Sequence, residues 1–112
     1  MDDLSKQIIE ESVKARLALS GHTDPEQARV WCEAVTAILT NTTEETVTQF
    51  PKKGQANFRQ MIAMCRKSFD LEIAAYNKYR TDIRKGIAPA DAASRMKTRL
   101  EHQRQPVDFS GI

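Results

Sequence analysis

Apolar residues along this chain recur at steps of three and four, and the longest such register runs from Gln55 to Lys85. Phe58, Ile62, Cys65, Phe69, Ile73, Tyr76, Tyr79 and Ile83 share one helical face. No proline or glycine interrupts the stretch, while Gly54 stands just before it and Gly86 just after. Glycine past the last periodic residue is a helix stop, because it takes the left-handed conformation without steric cost. Arg84 and Lys85 occupy the last turn, where positive charge complements the helix dipole. The pattern predicts a single helix over 55–85, roughly 45 Å long at about 1.5 Å per residue. A helix of that length needs neighbours packed along most of it.

Around this helix the pattern predicts three further main helices and a short one. Asp2 or Asp3 caps the first, which runs to about Leu19. Leu4, Ile8, Ala15 and Leu19 make one stripe of it, and Ile9, Val13 and Leu17 a second, nearly opposite. A helix apolar on two sides is either central in a bundle or packed against another copy. Ser20-Gly21-His22 stops it, with Gly21 left-handed. The next helix opens at Thr23-Asp24-Pro25-Glu26, either as a capping box of Thr23 with Glu26 or with Asp24 as cap and Pro25 at the first helical position. It runs to about Thr40, with Ala28, Trp31, Val35, Ile38 and Leu39 on one face and Trp31 as a core anchor.

Thr42 with Glu45 offers a second capping box, opening a short helix to about Phe50 that Pro51 ends. Lys52-Lys53-Gly54 then reads as a basic turn. Pro89 begins a last helix, Ala90 to about Gln103, with a thin stripe of Ala93, Met96 and Leu100, and Pro106 closes it. The expected fold is all-α, an irregular bundle of four main helices plus one short helix around the 55–85 helix. Residues 1–104 form a single helical domain and 105–112 a short C-terminal tail. The expected core is Ile8, Leu19, Trp31, Val35, Ile38, Phe58, Ile62, Cys65, Phe69, Ile73, Tyr76 and Leu100.

Composition places the chain among ordinary globular domains, with 112 residues, 40% apolar and 29% charged. Its apolar runs are too short for a transmembrane helix, so no membrane is expected. The opening Met1-Asp2-Asp3 has no apolar signal core, which points to the cytoplasm. Charge sharpens the picture. Residues 1–50 carry four Lys/Arg against nine Asp/Glu, a balance of −5, and the remainder thirteen against six, a balance of +7. Halves of opposite sign suit pairing with each other, within a monomer or across a homodimer, or a basic half presented to a polyanion.

The basic residues of the central stretch lie off its apolar face. Arg59, Arg66 and Arg84 fall within about 20° of one another on a wheel of an unbroken helix, with Lys67, Lys78 and Lys85 beside them and Arg95 and Arg99 added by the last helix. These eight are the candidate partner- or phosphate-binding residues; otherwise the ridge is a solvated flank.

Catalytic signatures are not expected. His22 sits in a turn and His102 near a helix end, no His-x-x-x-His or Glu-x-x-His spacing occurs, and Glu10 and Glu11 diverge on the wheel. Cys32 and Cys65 read as buried hydrophobes in a reducing compartment, with a bond between the two helices as the alternative. The sequon at Asn41-Thr42-Thr43 reads as chance, and Ser110-Gly111-Ile112 has the shape of a PDZ-type ligand. The expected function is a non-enzymatic protein-binding or self-associating module with a regulatory or accessory role, without cofactor or metal. The alternative is a nucleic-acid-binding accessory protein that contacts phosphates without reading sequence.

Overall fold

Asp2 opens the first helix as its N-cap, its Oδ1 accepting the Ser5 N–H at 2.7 Å. The computed structural model describes residues 1–109 of the chain, so the PDZ-type ending at 110–112 lies outside the described residues. From the Asp2 cap, α1 spans Asp3–Leu19. Asp24, not Thr23, caps α2 (Pro25–Leu39), accepting the Glu26 N–H at 3.0 Å with Pro25 in the first turn. The short α3 is Thr43–Val47. Thr42 makes no side-chain cap there; its hydroxyl bonds the Thr40 hydroxyl at 2.8 Å in place of the expected capping box. Then come α4 (Lys52–Ser68), α5 (Asp70–Arg84) and α6 (Pro89–His102). All six elements among the described residues are helices, in the all-α bundle that the periodicity predicts. None is long and apolar enough to cross a membrane.

Three of the helices end alike. Gly21 (φ +83°), Asn41 (φ +56°) and Gly86 (φ +92°) are left-handed. Each follows a C-cap, donates to the carbonyl three residues back, and is followed by a residue donating five back, as His22 does to Leu17 and Ile87 to Asp82. This paired pattern satisfies the last carbonyls of each helix.

The single helix expected over 55–85 is corrected to two. Phe69 leaves the helical conformation (φ −115°, ψ +33°) and separates α4 from α5. No proline or glycine causes this. The carbonyl of Ser68, which in an unbroken helix accepts from the amide of residue 72, instead accepts from Arg16 Nη2 at 3.2 Å. Phe69 is fully buried, its ring 5.9 Å from that of Trp31 and 5.6 Å beneath the Arg16 guanidinium. Arg66 and Lys67 close α4, and Asp70 and Glu72 open α5, so each new terminus carries the charge its dipole favours. At its other end α4 begins at Lys52, so the expected basic turn 52–54 is the first helical turn.

The core joins Ile9, Val13 and Leu17 of α1, Cys32 and Val35 of α2, Val47 of α3, Phe58, Ile62 and Cys65 of α4, Tyr76 and Tyr79 of α5, and Met96 and Leu100 of α6. Burying each large apolar side chain stabilises by about 1.5–3 kcal/mol. Leu19 was expected in this core and is exposed, with Leu4, so the first stripe of α1 is buried only at Ile8. Trp31, Ile38 and Ile73 are half-buried and pack on the core's edge.

Candidate functional site

Arg59, Arg66 and Lys67 stand on the exposed side of α4 and line a groove of about 450 Å³ between α3 and α4. Buried Val47 and Ile62, with Ala63, supply its apolar lining. Arg59 reaches across it to Glu44, Nη1 to Oε1 2.6 Å. Both ends of that pair are exposed, so it contributes about 0–1 kcal/mol and opens readily to a competitor. Arg66 and Lys67 make no ion pair among the described residues.

The other candidates lie elsewhere. Lys78 of α5 is tied to Asp82, Nζ to Oδ1 3.4 Å. Arg84 lies 3.5 Å from the Thr81 hydroxyl, and Lys85 is the C-cap of α5. Arg95 is exposed on α6, but Arg99 is half-buried, with an Nη1 that is shut from solvent and has no hydrogen-bond partner. Helix α6 packs on α5 and α1, and no Cα of it comes within 8 Å of α4. The break at Phe69 also removes the common wheel on which Arg59, Arg66 and Arg84 aligned. Arg59, Arg66 and Lys67 thus belong to α4, Lys78, Arg84 and Lys85 to α5 and its C-cap, and Arg95 and Arg99 to α6.

A second polar cluster is internal. Arg16 and Glu72, from α1 and α5, form an ion pair with side chains no more than 3% exposed. Glu72 Oε2 accepts from Ser12 Oγ at 2.5 Å, and Arg16 Nε donates to the carbonyl of Gln105 at 3.0 Å. Sequence reasoning passed over both charges. Their signal was phase, since Arg16 falls in register with Ile9, Val13 and Leu17, and Glu72 with Ala75, Tyr76 and Tyr79.

A cleft of about 350 Å³ among α1, α2 and α3 is lined by Lys6, Lys14, Arg29, Glu10 and Glu33, with Cys32 beside them. Lys6 pairs with Glu10 at 3.9 Å and Arg29 with Glu33, so its charges largely offset one another. Burial, with nearby Glu10, pushes the Cys32 thiol up to about 12, and burial beside Cys32 pushes Cys65 up to about 12. Both are free thiols held in their unreactive form. Among the described residues no three His, Cys, Asp or Glu side chains gather as a metal site.

No protein-family model, no curated protein and no solved structure matches this chain.

Proposed function

We propose that the chain is a non-enzymatic binding protein with a regulatory or accessory role, and that the α3–α4 groove docks an acidic segment of a partner protein. What carries this reading is the meeting, in one groove, of apolar Val47, Ile62 and Ala63 with the unpaired cations Arg66 and Lys67. An amphipathic helix bearing carboxylates matches both features, its apolar side against the lining and its acids against the rim. The charge balance of −5 over residues 1–50 makes a second copy of the chain the first partner to test. Two buried free thiols support a reducing, cytoplasmic setting.

The test compares the wild type with an Arg66→Glu/Lys67→Glu double variant. Light scattering at micromolar concentration reads self-association against the 12.7 kDa monomer. Affinity capture followed by identification of the bound protein reads a different partner. The expected result is a complex that weakens with salt and is lost in the double variant. A complex that forms equally with both proteins overturns the groove as its site. A mobility shift of nucleic acid at low salt, lost in the same variant, replaces the protein partner with phosphate contacts.

A further inference from the structure

After α6 the chain runs without regular structure over a surface made by α1, α2 and the α4–α5 break, and is held there by its main chain. Arg16 Nε donates to the Gln105 carbonyl at 3.0 Å. Ser20 Oγ accepts the Val107 N–H at 2.6 Å, and the hydroxyl is within donating distance of the carbonyls of Arg16 (2.9 Å) and Val107 (3.3 Å). Ser68 Oγ donates to the Asp108 carbonyl at 3.3 Å. Two side chains enter the surface. Val107 is buried, and Phe109 places its ring 5.3 Å from Trp31 and 5.5 Å, edge-on, from His22. Gln105, Pro106 and Asp108 remain exposed. Alternate residues thus face in, and these hydrogen bonds go to main-chain atoms of the segment.

These are the two parts of extended-peptide recognition: side-chain donors and acceptors reading the backbone, and pockets taking every second side chain. We infer that this surface is a peptide-recognition groove, occupied in this chain by its own residues 105–109. From a partner protein it takes an extended segment with a β-branched residue followed two positions on by an aromatic one. The resident segment defines that ligand chemistry. Pro106 fixes its own φ and biases Gln105 toward the extended conformation, so little order has to be imposed when the segment seats. A segment tethered this closely acts at an effective concentration on the order of millimolar. It therefore excludes weaker ligands until its own grip is loosened. The groove is separate from the α3–α4 face, and the inference does not rest on the docking proposed there.

Trp31 is the only tryptophan and touches the Phe109 ring, so its emission reports occupancy. The experiment titrates full-length Phe109→Ala and Val107→Ala variants with an acetylated peptide of residues 103–109, beside the same peptide with serine at both inward positions. The expected result is a saturable change in Trp31 emission with the first peptide alone, and a midpoint at least about tenfold higher for the wild type, whose groove is filled. No saturable change in either variant while its helical circular dichroism is retained overturns the inference, as does an equal response to the serine peptide. Loss of helical signal in both variants also overturns it, because the segment is then an inseparable part of the fold.

Discussion

Arg16 Nη1 lies 2.5 Å from Glu72 Oε1, and the pair joins α1 to α5 at the point where the chain between α4 and α5 breaks. Every nitrogen of the guanidinium is engaged: Nη1 with Glu72, Nη2 with Ser68 O and Nε with Gln105 O. Removing one partner of a buried pair leaves the other charge uncompensated, which costs about 3–5 kcal/mol. Glu72→Ala should lose that much in urea unfolding, a large share of the roughly 5–15 kcal/mol typical of a domain. Replacing both charges, as Arg16→Met with Glu72→Leu, should recover part of the loss only. The buried carbonyl of Ser68 then lacks its donor, and an unsatisfied buried acceptor costs about 1–3 kcal/mol. A Glu72→Ala loss under about 1 kcal/mol would show that the pair is not desolvated as the structure has it.

Tyr79 donates its hydroxyl to Asp2 Oδ2 at 2.6 Å, tying α5 to the cap of α1. Burial, and then this bond, push Tyr79 up to about 12 from 10.0. The same bond, followed by that from the Ser5 N–H, lowers the Asp2 carboxyl below 3.8. The two groups act at opposite ends of the pH scale. A raised Tyr79 contributes stability that is complete below pH 10 and drains away as pH rises toward 12, because the unfolded chain loses its proton first. A lowered Asp2 contributes stability present above 3.8 that is lost as pH falls through its folded value. Urea midpoints measured across pH should fall at both ends in the wild type. Tyr79→Phe should flatten the alkaline limb and shrink the acid one, and an alkaline fall unchanged in that variant would rule the link out.

How much of this was legible depended on whether the cause was local. The Asp24-Pro25 start, the Gly21 and Gly86 stops and the Pro89 start were read from adjacent residues because caps and left-handed turns are local chemistry. The break at Phe69 was missed because its cause is tertiary: Arg16, fifty-two positions away, takes the Ser68 carbonyl. A local trace existed in the reversal from Arg66-Lys67 to Asp70 and Glu72, the charge order of one helix ending and another beginning. Treating that stretch as unbroken also put Arg59, Arg66 and Arg84 on one wheel, though Arg84 belongs to a different helix from the other two. The groove that Arg66 and Lys67 line, and the groove that Val107 and Phe109 fill, both need helices distant in sequence to meet, and periodicity carries no such information. Val107 and Phe109, apolar at alternate positions of the tail, pack back on the bundle, an outcome that the local pattern leaves open.

Gly54 and Gly86 allow backbone conformation to be weighed apart from packing. A Cβ added at either meets no atom within 4 Å, so neither substitution by alanine brings a steric clash with a neighbour. Their backbones differ. Gly54 lies in the first turn of α4, where glycine surrenders more conformational freedom on folding than alanine does. Gly54→Ala should therefore stabilise by about 0.5–1 kcal/mol. Gly86 sits at φ +92°, donating to Ile83 O at 3.0 Å while Ile87 donates to Asp82 O at 3.0 Å, and half-buried Ile87 packs on the core behind that turn. An L side chain at this φ is strained whatever the space around it, so Gly86→Ala should destabilise by about 1 kcal/mol or more. Thermal unfolding of the two variants should move Tm in opposite directions. Shifts of the same sign would mean that the cap of α5 does not hold the conformation described.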